Sequence, residues 1–261
     1  MPLCPSRARC VVLAFLVVGA VSADDARAQR RSPEPNLTDW PQHSAERPRP
    51  AVVDPGPYLG PAPVPGDAIV LFDGTDLSGW EKDGGGEPGW AVRDGYMEVM
   101  PGTGGIHTRR AFGDVQLHIE WSAPDPPHGS GQDRGNSGVF LQGTYEVQVL
   151  DSYDNDTYPD GQAGALYGQF PPLVNPVRPP GEWNVYDIVF RAPRFLGDGT
   201  LDEPARMTVF FNGVLVHDAQ ALVGPTSHGG RAPYRAHGDL GIGLQDHEHP
   251  VRFRNIWVRE L

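Results

Sequence analysis

Cysteine is nearly absent. The 261 residues contain two, Cys4 and Cys10, and both precede the first apolar run. That run, VVLAFLVVGAV, follows Arg7 and Arg9 and is too short to span a bilayer. Small-x-small patterns follow at Val21 to Ala23 and at Ala26 to Ala28, so residues 1–23 read as a secretory signal peptide, with cleavage as late as 28. Its removal takes both cysteines, which excludes thiolate catalysis, disulfides and Cys-ligated zinc together. An exported chain without disulfides fits a bacterial periplasmic or extracellular protein. Cationic excess is missing as well. The formal charge of −12 excludes nucleic acid and anionic membrane surfaces as partners. No later stretch is apolar and long enough to cross a membrane, and no segment of about 12 residues carries a helical period.

What remains is proline, glycine and short strands. Residues 24–66, including RRSPEPNLTDWPQHSAERPRPAVVDPGPYLGPAPVPG, place a proline every few positions. They read as a disordered or polyproline-type linker, or as an arm lying on a domain surface. Residues 67–261 then form one domain large enough for a sizeable core. AIVLFDG, GWAVRDGYMEVM, VQLHIEW, SGVFLQG, YEVQVLD, NVYDIVFRA, RMTVFFNGVLVHD, LGIGLQD and VRFRNIWVREL are rich in β-branched and aromatic residues and bounded by turn formers. Asn212-Gly213 and Asp94-Gly95 are hairpin signals. The expectation is an all-β, two-sheet antiparallel jelly roll of the concanavalin A-like type, without internal repeats.

Alternation marks candidate site faces. In YEVQVLD, Glu146 and Gln148 share a side opposite Tyr145, Val147 and Val149; in VQLHIEW, Gln116, His118 and Glu120 do the same. Two such strands side by side in a curved sheet make a groove, and a plain solvated face is the alternative. LQDHEHP brings Gln245, His247 and His249 to one side, with His247 able to carry a proton. GQDRGNSG offers Arg134 and Asn136 to sugar hydroxyls, and Trp183 and Tyr153 could stack on a ring. The acidic loop DSYDNDTYPDG could hold Ca²⁺ but lacks EF-hand spacing, so a solvated loop competes. EVQVLD resembles the E-x-D-x-x-E strand of laminarinase-type retaining glycosidases, with Gln148 and the shorter Asp151 as departures. Retaining chemistry needs two matched carboxyl groups about 5 Å apart.

In order, LFDGTDLSGW, GNSGVFLQGTYEVQVLDSY, PPGEWNVYDIVFRAPRF, VFFNGVLVHDAQALVGPT and LQDHEHPVRFRNIWVREL resemble the 3-keto-disaccharide hydrolase family. Its members are also described as 3-keto-glucoside 1,2-lyases and 3-keto-2-hydroxy-glucal hydratases. The resemblance spans essentially residues 67–261 and implies cleavage of a 3-keto-glycoside. A ketone at C3 acidifies the C2 proton, its removal expels the C1 substituent, and water added to the glucal completes a net hydrolysis. This chemistry needs a base, an acid and a group for the enolate oxygen. It does not need a matched carboxylate pair. The catalytic candidates are Glu146 and His247, with base and acid unassigned, and Asp151 as a group that orients the histidine or replaces it. Gln148, Arg134, Asn136, Gln245 and Trp183 are the substrate-binding candidates. The partner is a small carbohydrate, and oligomeric state is open. The sequence requires no cofactor. A divalent metal, Ca²⁺ or a transition ion near His247, is left unassigned. A non-catalytic carbohydrate-binding module on the same fold is the competing reading, with the retaining glycosidase behind it.

Overall fold

The computed structural model describes residues 40–261 together with Met1. The leader expected at 1–23 and the first part of the Pro-rich region lie outside the described residues, apart from Met1. In chain order the strands are β1 (Ala51–Val52), β2 (Ile69–Phe72), β3 (Trp80–Lys82), β4 (Ala91–Arg93), β5 (Tyr96–Glu98) and β6 (Ile106–Thr108). Next come β7 (Val115–Ser122), β8 (Ser137–Leu141), β9 (Tyr145–Val149), β10 (Val174–Asn175), β11 (Asn184–Arg191) and β12 (Arg194–Phe195). The last are β13 (Leu201–Glu203), β14 (Arg206–Phe211), β15 (Val214–Ala221), β16 (Gly243–Leu244) and β17 (Arg252–Glu260). A single 3₁₀ turn, Pro159–Gly161, is the helical element among the described residues, and none of their helices is long and apolar enough to cross a membrane.

Two antiparallel sheets face each other. The larger runs β15-β14-β11-β7-β17-β5-β4, with β2 also paired to β17; the smaller runs β3-β6-β16-β8-β9. Both hairpin signals form as expected. Asn212 and Gly213 have φ of 52° and 80°, Asp94 and Gly95 φ of 51° and 79°, the positive pair that a type I′ turn requires and that suits the strand twist. Alternation sends Leu117, Ile119 and Trp121 of β7 inward against Val139, Val147 and Val149, all fully buried. Trp121, Tyr186 and Phe211 form an aromatic cluster, with Tyr186 and Phe211 edge-on at 4.8 Å. Such pairs add about 0.5–1.5 kcal/mol each beyond their buried area. Two contacts bridge the sheets: Tyr145 packs on Phe190 at 5.7 Å, and the Tyr186 hydroxyl donates to the Gln148 carbonyl at 2.7 Å.

The groove expected between the polar faces of β7 and β9 does not form. Alternation says which face of a strand is polar but not which sheet the strand enters. Here β7 lies between β11 and β17 in the larger sheet, and β9 ends the smaller one. Their polar faces therefore point to opposite sides of the sandwich. The polar face of β7 is covered by the Pro-rich stretch. Tyr58 donates to the Glu120 carboxylate at 2.7 Å, Arg254 donates to the Tyr58 hydroxyl at 2.6 Å, and Asn255 donates to the Ala62 carbonyl at 3.0 Å. Nearby, β1 pairs in parallel with β10. Proline-rich chain has few amides for a full ladder, so side chains supply most of the attachment. Tyr58→Phe is expected to cost about 1–2 kcal/mol in urea unfolding and to speed proteolytic cutting between residues 50 and 62.

Candidate active site

The smaller sheet owes its outer face to strand registers. Glu146 of β9 pairs with Phe140 of β8, Phe140 with Gly243 of β16, Gly243 with His107 of β6, and His107 with Glu81 of β3. A row of outward positions therefore runs across five strands. The free edge of β9 is covered by the chain that follows. Gln148 N–H donates to the Ala165 carbonyl and Gly164 N–H to the Gln148 carbonyl, both at 2.9 Å. An edge closed in this way keeps its register and is not open to pairing with another chain.

Glu146 is 4% exposed, although it points away from the core between the sheets. Its carboxyl lies over Gly138, where a Cβ would come within 2.5 Å of Oε1 and 2.8 Å of Phe140 Cε2. The missing side chain at 138 is what makes room for the acid. No described residue donates a hydrogen bond to its carboxyl oxygens, so burial acts unopposed and pushes its pKa up to about 8. Near neutrality it can therefore hold a proton or release one.

Around it stand groups that sequence reasoning missed. The hydroxyls of Tyr158 and Tyr167 are 2.8 Å apart, and that of Tyr167 is 2.9 Å from His228 Nδ1. Burial raises both phenols, and the Glu146 charge adds to the rise in each. His43, carried in by the Pro-rich stretch, stacks on Tyr158 at 4.3 Å, while its backbone N–H donates to the buried Asp160 at 3.1 Å. These residues come from three separate loops without a common period, so alternation could not flag them. His107 was legible in principle, as the polar residue between Ile106 and Thr108. Its Nδ1 lies 2.9 Å from Asp83 and its Nε2 3.1 Å from Glu81.

The expected residues divide. Gln148 and Asn136 are brought to Glu146's face: the Gln148 amide donates to Asn136 Oδ1 at 3.2 Å, and the Asn136 amide to the Gln132 carbonyl at 2.8 Å. Gln245 half-faces the same side, its backbone N–H bonded to the Gly138 carbonyl at 3.1 Å. His247 is exposed, 6.2 Å from His249 in a stacked pair. Asp151 does not meet it. One Asp151 oxygen takes the Arg134 Nε–H at 2.7 Å and the other the Tyr153 N–H at 3.2 Å. Arg134 also reaches the Tyr153 carbonyl at 3.2 Å, so this ion pair clamps two loops together. Burial raises the Asp151 carboxyl, and Arg134 opposes the rise. Trp183 is not beside Glu146 either. Its ring lies 3.8 Å from the Arg254 guanidinium, in the cluster that Tyr58 covers. Cation–π attraction to a nearby arginine satisfies that face. Among the described residues no group of three or more His, Cys, Asp or Glu is arranged to hold a metal ion.

Two outcomes follow. Gly138→Ala forces the Glu146 carboxyl and the Phe140 ring to move, and is expected to cost about 1–3 kcal/mol of stability, read by thermal or urea unfolding. The second concerns pH. Folded Glu146 keeps its proton between its ordinary value of 4.5 and about 8, where the unfolded chain has lost it. Its contribution to stability is thus complete below the lower value and declines as pH rises to the upper one. In paired melts, Glu146→Gln should gain on the wild type across this window and then level off.

Comparison with known proteins agrees with this architecture. A solved structure from Parabacteroides distasonis, described as a candidate glycosyl hydrolase, superimposes with a TM-score of 0.74 at 50% identity, covering 75% of this chain and 84% of its own. A second from the same organism gives 0.53 at 21% identity over 75% and 94%, a likeness of fold alone. A Bacteroides thetaiotaomicron protein named 3-keto-disaccharide hydrolase is 28% identical over 254 residues, covering 76% of this chain and 80% of its own. The model of the 3-keto-alpha-glucoside-1,2-lyase-like domain matches residues 67–259, and the chain belongs to that family.

Proposed function

We propose that the protein cleaves 3-keto-glycosides by elimination across C1 and C2, with Glu146 as the base. The observation that carries this reading is a buried carboxyl over Gly138 that has no hydrogen-bond donor among the described residues, its pKa pushed up to about 8 by burial. Loss of hydration and of donors makes its carboxylate a stronger base than an ordinary one, which suits a carbon acid. Glu146 takes the C2 proton, and the C2–H electron pair moves into an enolate on the C3 oxygen. The enolate collapses, C1–C2 becomes a double bond, and the C1–O bond breaks with its electrons on the leaving oxygen. His247, an exposed imidazole, donates the proton that oxygen needs. The amides of Gln148 and Asn136 bind hydroxyls and the C3 oxygen. Water then adds across the double bond, hydroxyl to C1 and proton to C2, giving net hydrolysis without any oxidant. Asp151 and Arg134 hold the loops that carry Asn136. The family and the named relative support a sugar substrate. On the same reading the leader at 1–23 directs the protein out of the cytoplasm, where such glycosides are met.

A retaining glycosidase needs a second carboxylate close to the first. Here Gln148 replaces the middle carboxylate of the E-x-D-x-x-E strand, and Asp151, in place of the last, is tied to Arg134 at 2.7 Å, which weighs against that reading. The test is turnover of 3-keto-trehalose, with the glucal followed by absorbance and mass. Glu146→Gln is expected to lower kcat by about 10²–10⁴-fold while leaving substrate binding nearly intact. For the wild type, the profile of kcat/KM against pH should carry a limb near about 8 that Glu146→Gln removes. A limb near about 8 that survives in Glu146→Gln would assign that proton transfer to another group. No turnover of any 3-keto-glucoside, with sugar binding retained, would return the protein to the class of binding modules.

A further inference from the structure

Next to Glu146 the same outer face opens into a cavity of about 430 Å³, lined among others by Asp83, His107, Phe140, Thr144, Gly243 and Gln245. That volume lies in the range of about 300–1,000 Å³ typical of small-ligand sites. The cavity and the Glu146 position share Phe140, whose ring lies beside the carboxyl over Gly138. From Phe140 the register row continues to Gly243 and His107. Two strand spacings separate Phe140 from His107, about 10 Å. The strand between them has no side chain there. The atoms nearest a Cβ at Gly243 would be Phe140 Cβ at 3.4 Å, the Ile106 carbonyl at 3.8 Å and Gly143 Cα at 4.0 Å, all at ordinary van der Waals contact. The floor is bare backbone, one wall is a half-exposed aromatic ring, and the other is polar.

We infer that this cavity is the leaving-group subsite and that it takes an uncharged sugar ring. The inference rests on the reaction proposed for Glu146. A pyranose has a C–H face that packs on an aromatic ring and a rim of hydroxyls that needs donors and acceptors. Phe140 supplies the first, and Gln245 and Asp83, the latter held by His107, supply the second. His107 is fixed in place by Asp83 at 2.9 Å and Glu81 at 3.1 Å, so the polar wall is rigid before a ligand arrives. The carboxylates there disfavour an anionic leaving group such as a sugar phosphate. Glu146 and His107, three strands apart along the row, then measure a disaccharide: the keto ring over the base, its partner ring across Gly243.

Gly243→Val tests this by filling the floor. Gly243 needs no positive φ and has space for a side chain toward the cavity. Its kcat/KM is expected to fall at least tenfold more for 3-keto-trehalose than for methyl 3-keto-glucoside, which has no second ring. His107→Ala, which releases the Asp83 carboxylate and so loosens the polar wall, should shift the same ratio in the same direction and serves if the valine variant does not fold. Equal falls on both substrates, or no change in the ratio, would overturn the inference while leaving the proposed reaction standing. If the wild type turns over neither substrate, the proposed reaction fails. Saturable binding of glucose, followed by NMR, then decides the sugar site alone. Binding weakened tenfold or more by Gly243→Val supports it, and no binding to the wild type overturns it.

Discussion

Everything functional in this protein depends on the register of one strand. In β9 the side-chain period of two sends Tyr145, Val147 and Val149 into the core and Glu146 and Gln148 to the outer face. A slip of one residue would exchange the acid with a valine and put a carboxyl between the sheets. Three contacts prevent it. β8 pairs along the full length of β9, Tyr186 reaches across from the other sheet to the Gln148 carbonyl, and the chain at Ala165 closes the outer edge. The core contacts of one face thus hold the chemistry of the other in place.

Of the buried glutamates, Glu120 and Glu146 stand on opposite outer faces of the sandwich, and their surroundings give them opposite properties. At Glu120, burial alone would raise the pKa, but hydrogen bonds from His118, Asn255, Tyr58 and Arg254 outweigh it and hold the group down to about 2. His118 is pushed up to about 9, because its bonds to Asp187 and Glu120 overcome the burial that would lower it. That cluster stays ionised over any ordinary pH and serves as an anchor for the Pro-rich stretch. Glu146 has the burial without the donors, so its proton is held near neutrality. Removing one partner of a buried ion cluster is costly, which suits a permanent attachment. A carboxyl that no described residue stabilises in its charged form suits proton transfer. The same stretch that Glu120 anchors also delivers His43 to Tyr158, beside the site.

Strand composition, turn residues and alternation were enough to read an all-β sandwich, because β propensity and type I′ turn chemistry act over a few neighbouring residues. Asn212-Gly213 shows this: the positive φ that asparagine and glycine tolerate is a local property, and the hairpin forms where it was expected. Glu146 and Gln148 were legible for the same reason. Trp183 and Asp151 were not, since what each touches is decided by Arg254 and Arg134, residues 71 and 17 positions away. His43 and the pair Tyr158 and Tyr167 come together from loops with no repeating pattern, and the cavity beside Phe140 exists because Gly243, far along the chain, leaves its floor bare.

By itself the sequence determined the class of fold, the positions of the hairpins, and the strand face on which the acid stands, all through forces that reach only a few residues. The tertiary structure alone decided which sheet each polar face joined, and hence that Glu120 became an anchor while Glu146 became a candidate base. The physical reason is that desolvation and hydrogen-bond supply are set by neighbours in space. A carboxyl's pKa follows from those neighbours and not from the residues beside it in the chain.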